Sequence, residues 1–268
     1  MRAHPRSHAR RALLGLASLL CLAIAPIALA AAGERDAAVP AAPRAETRLT
    51  PPAPENEFPV ALGSFSTTLI GSLPARSRNI ALAASEIDGL VLAPGDVFSF
   101  NDAVGARSRE RGYEMAPVIL HETRQLQAGG GVCQVSSTLF VAALLSGLST
   151  VERHRHSSPV DYIPLGEDAT ISWGVKDLKL RNDLGQRVRL RVEVVGSTLT
   201  ARFEGEAAVE ELYELVTDES EIPGDPGLGS EPGREIAVFR VRRVGAAEEG
   251  RELLHRDVYP PARMATIR

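Results

Sequence analysis

Ala128-Gly129-Gly130-Gly131-Val132-Cys133-Gln134-Val135-Ser136-Ser137-Thr138-Leu139 is the stretch on which both fold and chemistry turn. Three consecutive glycines admit backbone conformations closed to other residues and let a ligand come close. A strongly apolar run follows, predicting a helix from about Gln134 to Ser146 that stops at Gly147. The first N–H groups of a helix have no intrahelical partner and carry a partial positive charge. Cys133 stands at that end. There a thiol of ordinary pKa ~8.5 falls by one to several units, and the same N–H groups suit an oxyanion.

A thiolate acting on an amide also needs an imidazole to move the proton. Beyond the first thirty residues the histidines are His121, His154, His156 and His255. The segment Glu152-Arg153-His154-Arg155-His156-Ser157 follows the helix by a few residues. Read as a strand over Thr150–His156, it puts His154 and His156 on one face, and a returning strand carries one of them back to Cys133. Asp161 or Asp168 would orient the ring. Sequence leaves open which histidine acts. It also leaves open whether Cys133 is a reactive group, a buried small hydrophobe or an intermolecular linker. A metal site of Cys133, His154 and His156 lacks the close-spaced pairs of most zinc sites, so no metal or cofactor is expected. Ser136, Ser137 and Thr138 are read as back-bonding the helix rather than as nucleophiles.

Working outward, Ile80, Leu82, Ala83 and Ile87 predict a helix over Arg78–Ile87 that closes at Gly89. Short strands are expected at Leu90–Leu92 and Val97–Phe100 around the Pro94-Gly95-Asp96 turn. Further strands are expected at Met115–Leu120, Thr150–His156, Ala169–Trp173, Leu178–Leu180, Val188–Val194 and Thr198–Phe203, the last two as a hairpin across Gly196. The sum is an α+β fold of mixed strands, with a buried helix after a Gly-rich loop and a short C-terminal β segment. Expected organisation is a signal peptide over 1–30, an Ala/Pro-rich linker over 31–57, a domain over 58–205, an acidic linker over 206–233 and a β segment over 234–268. Ten acids and no base between Glu204 and Glu231 suggest the acidic linker, with one short helix at Val209–Leu215. Two strands are expected after it, at Glu235–Val241 and Met264–Arg268.

The N-terminus has the three parts of a signal peptide. Arg2, Arg6, Arg10 and Arg11 are the basic region, Ala12–Leu20 begins the apolar region, and Ala28-Leu29-Ala30 is a small-x-small cleavage site. Export to the periplasm or cell envelope follows, with no permanent membrane span after cleavage. Cys21 would leave with the leader, so Cys133 would have no internal disulfide partner. Without residues 1–30 the balance is 26 basic residues against 34 acidic. No concentrated basic face remains, which argues against nucleic acid as a partner.

These motifs resemble the VanW-like family, named after an accessory protein of vancomycin resistance clusters. The resemblance rests on Arg78-Asn79-Ile80, Pro94 through Asn101, Gly105-x-Arg107, Arg111-Gly112-Tyr113, Ala116 through Ile119, Gly129 through Leu139, Val151-Glu152-Arg153, His156-Ser157, Tyr162-Ile163-Pro164 and Gly166-x-Asp168-Ala169. It runs from about residue 65 to 182. The tail from Arg251 to Pro261 resembles the β segment that often follows this domain. The resemblance implies envelope proteins, some of them L,D-transpeptidases whose motif cysteine attacks a peptidoglycan tetrapeptide stem. Cys133 matches that nucleophile, and His156, through the His156-Ser157 pair, matches the family histidine better than His154. Peptidoglycan stem peptides are thus the expected partner. Gly130, Gly131 and Gln134 are candidate substrate contacts. Arg107 and Arg153 are candidate bidentate carboxylate forks, each with a structural ion pair as the plain alternative. Asp96, Asn101 and Tyr113 fix turns. The alternative function is a non-catalytic protein that binds stem peptides or glycopeptides.

Overall fold

A computed structural model describes residues 55–69, 71–120, 123–225 and 230–263. The expected signal peptide, nearly all of the Ala/Pro-rich segment, His121 and the expected strand at 264–268 lie outside these residues.

Helix α3 (Val132–Leu145) is the centre of the fold, with twelve of its fourteen residues buried. A helix apolar on all sides must be covered on all sides. One cover is an antiparallel sheet of β1 (Val60–Thr68), β9 (Thr198–Gly205), β8 (Val188–Val195) and β2 (Val91–Leu92), in that order. The helix lies against β1 and β9. Helix α1 (Pro74–Ile87) packs beside it and on β8. Its buried Ile80, Ala83, Ala84 and Ile87 fall at helical spacing, and Pro74 sits at its start, where no N–H is needed. The helix begins one turn before the expected Arg78.

A second sheet joins β3 (Val97–Ser99), β7 (Lys179–Arg181) and β6 (Ser149–Glu152). Between them the chain forms the short helix α2 (Phe100–Val104) and the hairpin of β4 (Met115–Leu120) with β5 (Thr123–Ala128). The fold is α+β, as the patterning implies. The hairpin across Gly196 forms with Val188 opposite Gly205.

Three expectations fail for identifiable reasons. The strand expected over Thr150–His156 stops at Glu152, where the register slips. There the Glu152 carboxylate accepts the Asp177 N–H, and Arg153 turns inward to Asp168, so the ladder is abandoned. His154 and His156 therefore do not share a strand face. Ala169–Trp173 forms no strand and holds only the isolated bridge Ser172–Lys176. The acidic stretch contains no helix at 209–215. Strand β10 (Glu211–Ile222) lies there instead, in a sheet with β12 (Gly233–Val244) and β13 (Ala247–Tyr259), and the short pair β11 (Ser230–Glu231) with β14 (Ala262–Arg263) lies beyond it. Its acids pair with bases on β12, Glu214–Arg243 and Glu219–Arg234, and on β13 beyond it, Asp218–Arg251. Opposite charges across strands support pairing, so an acidic segment that looks unable to fold alone is completed by an arginine-rich partner. Among the described residues no helix is long and apolar enough to cross a membrane.

Candidate active site

The loop before α3 explains its glycines. Gly131 caps the helix at φ 103°, and a Cβ there would meet Arg76 Cγ at 2.7 Å. A Cβ on Gly130 would strike the Ala116 carbonyl oxygen at 2.5 Å. These contacts lock the loop between α1 and β4, and Asn79 holds it by donating to the Gly130 carbonyl (3.1 Å). Cys133 follows as the second residue of α3. Val132 N–H is taken by Gly129 O, and Gln134 N–H by Gly131 O. Cys133 N–H has no acceptor among the described residues.

Cys133 as a residue is half-buried. Its sulfur lies 3.6 Å from Thr170 Oγ1 and 3.6 Å from the Ile171 carbonyl. Burial works against its thiolate form, but the neighbouring His156 imidazole outweighs burial and brings the thiol below its ordinary value, to about 7. His156 Nδ1 meets Asp168 Oδ2 at 2.6 Å, and the same oxygen accepts the His156 N–H at 2.6 Å. Burial disfavours the imidazolium, yet Asp168 and the sulfur together raise it from 6.5 to about 9. Burial also opposes the charge on Asp168, and His156 with Arg153 outweighs it, holding the carboxyl below its ordinary 3.8. Between about pH 7 and 9 the three groups are thiolate, imidazolium and carboxylate.

Helix and triad loop are joined by the serines of the motif. Ser136 and Ser137 Oγ donate to Ala169 O, and Ala169 N–H donates to Ser137 Oγ (2.9 Å). Back-bonding occurs as expected, at Ser137 to Cys133 O and at Thr138 to Gln134 O. The hydroxyls also dock the residue after Asp168 onto the helix that carries Cys133.

Other expected site residues divide. His154 is turned away, with Nε2 3.0 Å from Glu152 Oε1. Gln134 is buried and committed: it accepts from Arg76 and donates to Thr67 Oγ1 and Thr68 O. Its amide braces β1 and α1 and is not presented to a substrate. Arg153 is likewise no substrate fork. It donates to Asp168 O, Asp168 Oδ1, Gly166 O and Asp257 Oδ1 with its side chain 7% exposed. Arg107 stays available. Its Nη1 reaches only the neutral acceptors Asn101 Oδ1 and Gly105 O, its guanidinium lies 5.9 Å from the exposed Trp173 ring, and its charge acts on the Cys133 sulfur. Asp96 and Asn101 fix turns by bonding Ala93 N–H and the Ser172 and Lys176 carbonyls.

Sequence reading missed Arg76, Tyr162 and Asp257. Arg76 donates to Ser72 Oγ and Gln134 Oε1, lies 6.0 Å from the Tyr162 ring, and its charge acts on the Cys133 sulfur. Tyr162 sits edge-on to His156. The recurrence of Tyr162-Ile163-Pro164 was the one available signal for it; nothing local marks Asp257, one hundred residues from Arg153. Among the described residues no group of three or more His, Cys, Asp and Glu side chains is arranged to hold a metal.

Residues 75–204 match the family model described as VanW like protein. Over 138 residues the chain is 43% identical to the uncharacterized protein YoaR of Bacillus subtilis (strain 168), covering 52% of this chain and 46% of that protein. It is 30% identical over 142 residues to vancomycin B-type resistance protein VanW of Enterococcus faecalis (strain ATCC 700802 / V583), covering 51% of this chain and 52% of that one. The chain thus spans about half the length of these curated relatives. No solved structure matches it.

Proposed function

We propose, from the premise that residues 75–204 belong to the VanW-like family, that the chain carries out cysteine-dependent acyl transfer on peptidoglycan peptide stems, as an L,D-transpeptidase does. The observation that carries this reading is the Cys133–His156–Asp168 array, in which the thiol of a half-buried cysteine at a helix start is brought down to about 7 by a buried, carboxylate-held imidazole. Export, expected from residues 1–30, would bring the protein to the wall.

The thiolate attacks the amide carbonyl between the third stem residue and the terminal D-alanine. A C–S bond forms and the carbonyl electron pair moves to oxygen, where Cys133 N–H is positioned to donate. His156 passes its proton to the leaving nitrogen as the C–N bond breaks, which releases D-alanine and leaves a thioester. An amine of a second stem then attacks. Neutral His156 takes its proton, and the thiolate departs to restore the starting ion pair. Arg76 and Arg107, charged and without a carboxylate within ion-pair distance among the described residues, are suited to carboxylates of the donor stem.

The test is mass spectrometry after incubation with a tetrapeptide stem. An acyl mass on Cys133, lost in Cys133→Ala, is expected. Stem-peptide affinity without any adduct at any pH, retained in Cys133→Ser, would overturn the enzyme in favour of a binding protein.

A further inference from the structure

The triad does not end at Asp168. Arg153 bridges two carboxylates, with Nη2 3.1 Å from Asp168 Oδ1 and Nη1 2.7 Å from Asp257 Oδ1. Asp257 belongs to β13, beyond the 75–204 region that matches the family model. Both ion pairs are buried: Arg153 and Asp257 are each 7% exposed and Asp168 is 4% exposed. The charges alternate along the array, from Asp257 through Arg153, Asp168 and His156 to the sulfur. The C-terminal sheet reaches the same loop elsewhere. His255 Nε2 donates to Gly166 O at 2.8 Å, and a Cβ on Gly166 would meet Val238 and Ile236 of β12 within 3 Å. Asp257 Oδ2 is buried without a hydrogen-bond partner among the described residues. A buried carboxylate oxygen left unpaired costs folding energy, which makes packing alone a poor reason for an acid at this position.

We propose that Asp257 is a positioning residue, which acts through Arg153 to hold Asp168 on His156 and so makes the C-terminal sheet part of the catalytic apparatus. The proposal rests on the triad reading of Cys133, His156 and Asp168. With Asp257 charged, Arg153 divides its attraction between two carboxylates. With Asp257 neutral, Arg153 bears on Asp168 alone and competes with the imidazolium for it. Loss of a nearby negative charge disfavours the imidazolium as well, so both effects have one sign. The other groups around His156 do not reverse it. Cys133 on α3 and Asp168 favour its charged form; Arg153 and Arg155 on its own segment oppose it. Burial keeps the hydroxyls of Tyr162 and of Tyr259 on β13 protonated, and burial with Arg153 keeps His255 neutral.

The experiment is the pH dependence of carbamidomethylation of Cys133 by iodoacetamide in the full chain, read on the Cys133 peptide by mass spectrometry. Two inflections are expected in the parent, at about 7 for thiolate formation and at about 9 for loss of the imidazolium proton. In Asp257→Asn they draw together, the upper one falling by about half a unit or more, and Asp257→Glu restores the parent profile. If Asp257→Asn does not fold, Asp257→Ser carries the same expectation, since a hydroxyl and a water can take the Arg153 donor. Inflections unmoved in the folded neutral variant, even with a lower melting temperature, would make Asp257 a brace and overturn the proposal. Alkylation needs no stem peptide, so failure of acyl transfer and failure of this inference are read separately.

Discussion

On one side of the Cys133 sulfur lie His156, Asp168, Arg153 and Asp257, all largely buried and matched charge against charge. Against the glycine loop lie Arg76 and Arg107, half-buried and donating only to neutral oxygens. Burial pulls both of these guanidinium groups below their ordinary value. One side is a closed network with little left to offer a ligand. The other has desolvated cations whose strongest partner is still to come. Chemistry and stability should therefore fail together on the imidazole side, and binding alone should fail on the glycine side.

The largest effect is expected at the sulfur itself. Cys133→Ala should lower acyl transfer by about 10⁴-fold or more, because the other groups of a catalytic unit contribute little without the nucleophile. Its melting temperature should stay near the parent value. A variant with comparable turnover would dissolve the division between the two sides.

Next is His156→Gln, expected to lower turnover by about 10²- to 10⁴-fold. In the parent, kcat/KM should follow a bell. Its acid limb near pH 7 is protonation of the thiolate; its alkaline limb near pH 9 is loss of the imidazolium proton needed by the leaving amine. A rate that keeps climbing above pH 9 would show that His156 is not the acid.

Arg153→Met tests the closed network by stability. It takes the guanidinium from buried Asp257 and leaves Asp168 to His156 alone, and breaking a buried pair from one side costs about 3 to 5 kcal/mol. Urea unfolding should show that loss. A loss under about 1 kcal/mol would mean that the bridge is no more than a surface pair.

How much of this was readable beforehand follows the same division. Helix α3, the hairpin across Gly196 and the place of Cys133 at a helix start were legible because apolar run and glycine each have a local physical meaning. Alternation alone left His154 and His156 equivalent because it was extrapolated through Glu152, and the side chains of Glu152 and Arg153 end that strand; only the His156-Ser157 pair favoured His156. Arg107 and Arg153 looked alike as well, and only tertiary contact tells them apart. Strand β10 was hidden because its stabilising charges lie on β12 and β13, distant in sequence. The Asp257 contact was illegible for the same reason.

Arg107→Gln carries the smallest expected effect and sharpens the comparison most. Its Nη1 bonds to Asn101 Oδ1 and Gly105 O are of the neutral kind that glutamine partly replaces, so the fold should lose about 1 kcal/mol or less. What glutamine does not replace is a charge facing a substrate carboxylate, and a charge-assisted hydrogen bond contributes about 1.5 to 3 kcal/mol. KM for a tetrapeptide stem should then rise by about tenfold or more, while kcat stays within a few-fold. Amidating the stem's C-terminal carboxylate should raise KM for the parent but add little further in Arg107→Gln, which ties the loss to that one contact. A fall in kcat at unchanged KM would instead assign Arg107 to the reacting centre, and the glycine side would no longer be the binding side.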